Sequence, residues 1–337
     1  MADFMTAQVL QQFGGPEEFK LREIPLHNPQ PGEVLVRIAA ASLNPADTKI
    51  RQNGPAHAPE LPAVLGLDMS GTVLKVGDGV TGFVEGDRVF GCCGGVRGVT
   101  AGTMSTHICA DHRLLALAPK TISLRDAAAL PLVSITAWEA VVERAAFAPG
   151  ETALIFGGTG GVGHIALQLA RWRGAYTVTT AGDEYKATLA RDLGADEVVN
   201  YRDEPLENYV ARLTKGRGFD QVLDAVGGPN LAPAFEAART YGTVTSISTR
   251  AQYDLTTMHA RSLTLHVIFM LIRMIHDIDR AAHGKILGQI AGLVDAGELR
   301  PLIDPTRFGL ADLAGAHRHL EAGSAVGKII IDMPENH

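Results

Sequence analysis

The most constraining feature of the chain is the run Gly158-Thr159-Gly160-Gly161-Val162-Gly163, which fits G-x-G-x-x-G. A short apolar stretch, 152–156, precedes it, and a helical pattern, 162–173, follows and closes at Gly174. The next β-like stretch, 176–180, completes a unit spanning residues 152 to 180, close to the ~30 residues of a strand–helix–strand nucleotide fold. Glycines there let the backbone turn tightly and approach a pyrophosphate, and the helix N-terminus supplies N–H groups and partial positive charge. Gly158, Thr159, Gly160, Gly161 and Val162 are therefore candidate pyrophosphate ligands.

The end of the second strand selects among dinucleotides. Where the ribose hydroxyls of NAD are held, an acid usually stands there, ~20 residues past the loop. Here the strand runs out in Thr180-Ala181-Gly182, and the small Ala181 leaves room for a 2′-phosphate. Lys186, one turn into the next helix, is a cation placed to meet it, with Tyr201 and Arg202 as further candidates. Asp183 would repel a phosphate if turned inward; as the N-cap of a helix starting at Glu184 it would face backbone N–H groups instead. NADPH is the expected cofactor.

The flanking regions set the architecture. With 337 residues the chain exceeds one ordinary core, so two domains are expected. Residues 1 to about 125 read as short strands (34–38, 71–76, 88–90) separated by Gly/Asp turns, a small antiparallel barrel or sandwich. From about 126 the pattern alternates. A helical stretch, 126–146, interrupted at Pro131, is followed by strands at 152–156, 176–180, 197–199, 221–225 and 242–247, with helices at 184–193, 206–215 and 233–239 among them. Such alternation means a parallel, doubly wound sheet. A helix, 286–296, and a final strand, 328–332, fold back onto the first domain. The expected class is α/β, with a doubly wound nucleotide-binding domain at 129–270 inserted into a β-rich domain formed by 1–128 and 271–337.

A net charge of −7 argues against nucleic-acid binding, which needs a basic surface. Three cysteines (Cys92, Cys93, Cys109) cannot make a disulfide framework and fit a reduced compartment. The start, Met1-Ala2-Asp3-Phe4-Met5, lacks a basic flank and apolar run, so no secretory leader is expected. The most apolar window, 263–275, is short for a membrane span and carries His266 and Arg273; it reads as a buried strand running into a helix. A cytoplasmic location is expected.

Several phrases together resemble the medium-chain dehydrogenase/reductase superfamily, in its zinc-independent quinone oxidoreductase (zeta-crystallin-like) branch. They are Leu43-Asn44-Pro45-Ala46-Asp47, Gly66-Leu67-Asp68-Met69-Ser70-Gly71, Gly86-Asp87-Arg88-Val89, Ile135-Thr136-Ala137-Trp138, the loop 157–163, Leu193-Gly194-Ala195-Asp196, Asn200-Tyr201-Arg202 and Gly327-Lys328. The resemblance implies a GroES-like substrate domain and a Rossmann domain with the active site in the cleft between them. By position it implies Asn44, the catalytic candidate, near the nicotinamide, and Thr136 at the nicotinamide or its ribose. It puts Gly160, Gly161 and Val162 at the pyrophosphate and Lys186 and Tyr201 at the 2′-phosphate. Val226, Gly227, Ser246, Ile247, Phe269, Met270, Leu271 and Lys328 would line the cofactor channel. The family position of Asp183 is often small and uncharged, so this residue departs from the pattern.

Zinc-dependent relatives need a Cys, a His-Glu pair and a second Cys around the catalytic ion. The corresponding phrases here carry Asn44 and Leu67-Asp68, and the adjacent Cys92-Cys93 cannot give the usual C-x₂₋₄-C bite, so no metal is expected. The cysteines read as packing residues, with Cys92 or Cys93 an outside candidate for an exposed thiol, and His317 and His319, two apart in a helix, should face different ways. Without a Lewis acid the feasible chemistry is hydride transfer from NADPH to an acceptor that stabilises its own charge: a quinone, or alternatively an enone or 2-alkenal. Asn44, Phe269 and Met270 would line the acceptor pocket, unless the latter two are core or dimer contacts. As proton sources Asp47, Lys49, His57 and Tyr253 read better as solvated loop residues. The stretch 263–269 resembles the family's edge strand that pairs across a two-fold axis, implying a homodimer. A non-catalytic NADPH-binding scaffold is the remaining class.

Overall fold

The computed structural model describes residues 4–99 and 101–334; Met1 to Asp3, on which part of the leader expectation falls, lie outside the described residues. The chain divides into two compact units, one comprising Met1–Leu132, Leu271–Gly297 and Pro301–His337, the other Val133–Met270 and Glu298–Arg300.

The second unit is a six-stranded sheet in the spatial order Glu197–Asn200, Tyr176–Ala181, Thr152–Phe156, Phe219–Asp224, Ala238–Ser246, Thr264–Val267. All of its pairings are parallel. In chain order this is 3-2-1-4-5-6, the doubly wound arrangement whose strand order reverses beside the first strand. The central strand, Phe219–Asp224, is buried along its whole length, as a strand covered on both faces must be. Leu154, Val178, Val222 and Val244 form the layer onto which Leu231, Ala234 and Phe235 of the helix Leu231–Ala237 pack. At the sheet's end, Thr264 and Val267 are exposed and Leu265 and His266 half-buried. The buried strand expected within 263–275 is thus an edge strand. Its apolar run is completed by Ile268, Met270 and Leu271, which are buried beyond it.

The helical stretch at 126–146 is broken in two places: Leu124–Ala127 and Pro131–Trp138 are separate helices, and 139–144 continues as a wider turn. Pro131 explains the first break, because it has no N–H to give and restricts the residue before it. The stretch 233–239 shifts by two residues, to Leu231–Ala237, and the next strand already begins at Ala238.

The first unit is β-rich. A seven-stranded sheet runs Phe308–Gly309, Ile330–Asp332, Glu33–Ser42, Asp68–Val76, Arg88–Cys92, Leu115–Leu117, with His107–Asp111 also paired to Glu33–Ser42. A second sheet orders Phe19–Pro25, Phe4–Leu10 and Ala63–Val64. The long strand Glu33–Ser42 is the organiser: it pairs antiparallel with Asp68–Val76, His107–Asp111 and Ile330–Asp332. Its register shifts twice, after Leu35 and after Ile38, which bends it enough to serve three neighbours. The C-terminal strand is therefore stitched into the first domain, as the sequence suggested, although it is shorter, Ile330–Asp332.

Candidate functional site

The glycine loop leaves the strand Thr152–Phe156 and enters the helix Gly161–Trp172. Gly157 turns the chain with φ +74°. A Cβ on Gly158 would lie 2.1 Å from Thr179 Oγ1, and one on Gly163 would lie 2.0 Å from the Gly157 carbonyl oxygen. Both positions must be glycine for the loop to close on itself. A Cβ on Gly160 meets only the Gly157 oxygen, at 3.2 Å, so this glycine faces an open cradle. The first N–H taken up within the helix is that of His164, donating to Gly160 O, which places the amides of Gly161, Val162 and Gly163 ahead of the ladder. This is the geometry an anion such as a pyrophosphate requires, and the residues present fit one.

The second strand holds that loop. Thr179 Oγ1 donates to Ile155 O (2.7 Å) and accepts from Gly158 N (3.1 Å), while Thr180 Oγ1 accepts from Gly157 N (3.4 Å). Thr180 is thus a loop clamp, and Thr179, which sequence reasoning passed over, is the tighter one. Beyond the strand, Asp183 accepts from Lys186 N (2.8 Å) and caps the helix Glu184–Asp192. Lys186 is half-buried and Tyr201 is 55% exposed. A Cβ on Gly182 would come within 2.8 Å of the Tyr201 hydroxyl, so Gly182 lets the phenol lie flat on the strand end. Gly182, Lys186 and Tyr201 therefore share one end of the sheet with the loop.

A second turn is organised by Asp224, a fully buried residue that the sequence placed in a strand without a site role. Its Oδ1 accepts from the amides of Val226 (3.1 Å) and Gly227 (2.8 Å), and its Oδ2 from Ser246 Oγ (3.0 Å). Ile247 N donates to Asp224 O (3.3 Å). Val226 leans on Gly157, where a Cβ would meet its Cγ2 at 2.8 Å. Val226, Gly227, Ser246 and Ile247 are thus gathered with the glycine loop. Thr136 is buried in the helix Pro131–Trp138. Met270 is buried, whereas Phe269 is 38% exposed with the Arg250 guanidinium 5.5 Å above its ring.

Three residues of the reading belong to the other unit: Asn44, Leu271, which is buried, and Lys328. Lys328 is 2% exposed and its ammonium contacts Leu43 O (2.8 Å), Asn44 Oδ1 (2.5 Å) and Asp68 Oδ2 (3.2 Å). All three of its protons are directed at protein oxygens, so as placed it holds Asn44 instead of offering itself to a cofactor. Asp68 Oδ2 also accepts from Asn44 Nδ2 (2.9 Å) and Ser42 Oγ (3.2 Å), and Oδ1 from Leu132 N (2.9 Å). Asp47, expected to be solvated, is buried in the helix Pro45–Asn53.

Comparison with known proteins adds lineage to this geometry. A family model described as "Alcohol dehydrogenase GroES-like domain" matches residues 30–120, and one described as "Zinc-binding dehydrogenase" matches 193–331. The chain is 30% identical to the quinone oxidoreductase of Mus musculus, over 95% of both proteins. It is 30% identical to the chloroplastic NADPH-dependent alkenal/one oxidoreductase of Arabidopsis thaliana, over 97% of this chain and 79% of that one. A solved alcohol dehydrogenase superfamily protein from Novosphingobium aromaticivorans superposes with a TM-score of 0.93 at 39% identity, over 98% of this chain and 100% of that one. The chain belongs to the medium-chain dehydrogenase/reductase superfamily.

Within the superfamily it falls in the zinc-independent, quinone oxidoreductase-like branch, with the GroES-like and Rossmann-type sheets described above. At the positions where zinc-dependent members of the superfamily carry ligands, this chain joins Asn44 and Asp68 through the Lys328 ammonium. Among the described residues no group of three or more His, Cys, Asp or Glu is arranged to hold a metal ion. Cys92 and Cys93 are both buried, so neither is the exposed thiol considered above; burial, then the charge of Asp68, pushes both thiols up. Cys109, half-buried, is pushed up to about 11, chiefly by burial. Low thiolate content makes all three poor nucleophiles at neutral pH. His317 lies buried 5.0 Å from the Phe19 ring, while His319 faces Asp304 at 3.3 Å, the different directions expected of an i, i+2 pair. No helix among the described residues is long and apolar enough to cross a membrane.

Proposed function

We propose that the chain is an NADPH-dependent oxidoreductase that transfers a hydride to a quinone, with enones and 2-alkenals as alternative acceptors. The observation that carries this reading is the glycine cradle opening on a helix N-terminus, beside a strand end that holds Lys186 and no inward acid. The relatives named quinone oxidoreductase and alkenal/one oxidoreductase support it. Residues 129–270 are the dinucleotide-binding domain, and 1–128 with 271–337 the substrate domain.

In this reading Gly158 to Val162 hold the pyrophosphate through backbone amides. Lys186 and Tyr201 face the adenosine 2′-phosphate, and Asp183 is kept off it by its bond to the Lys186 amide. Thr136, Val226, Gly227, Ser246, Ile247, Phe269 and Met270 line the channel, and Asn44, fixed by Lys328 and Asp68, stands at the nicotinamide. The bound reduced nicotinamide supplies the hydride. A quinone or enone delocalises the charge it receives, so the residues have only to orient the partners and exclude water. The chain acts as a homodimer; the support is the edge strand Thr264–Val267, which is paired on one side.

Loss of NADPH absorbance is expected to accelerate on adding 1,4-benzoquinone, with slower turnover of NADH. Equal loss with and without every quinone, enone and alkenal tested would leave only the scaffold reading. Lys186→Ala is expected to weaken NADPH about tenfold and NADH less than about twofold, since it removes a cation that only the 2′-phosphate uses. Parallel weakening of both cofactors would displace Lys186 from that role. Light scattering on the purified protein checks the dimer.

A further inference from the structure

We propose that Asp47 is an ionisable positioning residue for Asn44: as a neutral acid it leaves Asn44 locked between Lys328 and Asp68, and on losing its proton it unlocks it. The inference rests on the reading that Asn44 serves the nicotinamide.

Asp47 is the third residue of the helix Pro45–Asn53 and is 1% exposed. Its Oδ2 accepts from the backbone N–H of Asn44 (2.8 Å). Its Oδ1 is buried and has no hydrogen-bond partner among the described residues. The Lys328 ammonium has no donor to spare. The Lys328 protons are taken by Leu43, Asn44 and Asp68, and one Asn44 side-chain N–H is given to Asp68. The cluster therefore holds one cation and one anion in balance, and a second carboxylate would leave it with a net negative charge out of reach of water. An anion buried in that way is costly, so the proton stays.

Burial, with the charge of Asp68 adding to it, lifts the Asp47 carboxyl to about 7, against the opposing pull of Asn44 and Lys328. Cys92, on the strand Arg88–Cys92, is the other titratable group coupled to Asp47, and its own thiol is pushed up, chiefly by burial. On the same helix Lys49 is exposed, and Arg51 is engaged by Glu321, His317 and the Gly14 carbonyl. When Asp47 ionises, the cation within the cluster able to answer it is Lys328. Moving the ammonium toward Oδ1 takes it from Asn44 Oδ1 and frees the amide to turn. Position, not chemistry, is what Asp47 controls.

The first test uses the protein without added nucleotide. The side-chain amide signals of Asn44 are followed by ¹⁵N NMR from about pH 5 to about pH 9, in wild type and in Asp47→Asn. A transition centred near 7 in wild type, absent from the variant, is expected; no transition, or one that persists in the variant, overturns the proposal. If the variant does not accumulate, the wild-type titration decides alone, and an Asn44 signal flat across neutral pH overturns it. Stability gives a second readout. A folded pKa above the unfolded 3.8 means that the neutral acid stabilises the fold below that value, and that the stability is lost as pH rises toward about 7. The urea midpoint of Asp47→Asn should therefore gain on that of wild type across this window and then level off, and a constant difference would count against the proposal. Finally, kcat/KM with NADPH and 1,4-benzoquinone should fall about tenfold from pH 6 to pH 9 in wild type and less than about twofold in the variant. The same fall in both overturns it. If neither protein turns over any acceptor, the reductase reading fails while the amide titration still decides the role of Asp47.

Discussion

Gly163→Ala is expected to weaken NADPH binding about a hundredfold and also to lower stability by about 1–3 kcal/mol, the range typical of overpacked sites. The added methyl lands 2.0 Å from a backbone carbonyl oxygen, that of Gly157, and 2.8 Å from its carbon. No rotamer change relieves a clash with backbone. Either the helix Gly161–Trp172 withdraws from the strand Thr152–Phe156, or the turn at Gly157 opens. Both move the helix N-terminus relative to the loop and spoil the convergence of amides on which the anion depends. Gly160→Ala separates the two effects. Its methyl meets only one oxygen, at 3.2 Å, and otherwise enters the cradle. It should leave the thermal midpoint within about 2 °C of wild type, since no buried contact is broken, and still cost at least about tenfold in NADPH affinity. Calorimetric titration and thermal unfolding of the two variants provide the measurement. If Gly160→Ala binds NADPH as wild type does, the cradle is a structural turn and the cofactor reading loses its main support.

What could be read from the sequence follows the range of the interactions involved. The glycine loop, its strand and its helix are local, so the fingerprint and the parallel sheet were visible as alternating patterns. Asp183 was legible as an N-cap for the same reason, because its partner is three residues away. Element ends were less legible. Ala238 looks like a continuing helix, yet the parallel pairing of Ala238–Ser246 with Phe219–Asp224 claims it for the sheet. The edge strand at Thr264–Val267 looked buried because its apolar character comes from residues just past it. Least visible was the cluster around Asn44. Lys328 and Asp68 are separated by 260 residues, and no periodicity links them. Asp47 looked like a solvated acid, because Lys49 and Arg51 follow it closely in the chain; its burial is decided by strands from distant parts of the first domain. Asp68 itself carried a faint signal, an acid set among the apolar residues of Leu67-Asp68-Met69, which a half-buried antiparallel strand would not place inward without a partner.

That long-range pair yields the other large effect. Lys328→Met should destabilise the first domain by about 3–5 kcal/mol, because it leaves the Asp68 carboxylate buried without its cation. Asp68 is fully buried and still accepts from Ser42, Asn44 and Leu132, so the loss is of charge balance and not of every hydrogen bond. Lys328→Arg should not restore it, since a planar fork cannot direct donors at three oxygens gathered around one ammonium. The informative variant is the double one. Asp68→Asn with Lys328→Met removes both charges, keeps a hydrogen-bonding side chain at 68, and should recover more than half of the single variant's loss in urea unfolding. The same double variant should remain poor in turnover, because Asn44 Oδ1 has lost the donor that sets its side-chain orientation. Stability recovered without activity would assign the ion pair to positioning Asn44. Recovery of both would mean that the pair serves packing alone. A loss below about 1 kcal/mol in Lys328→Met would mean that water reaches Asp68 and that the cluster is not dry, which would remove the physical basis for holding Asp47 protonated.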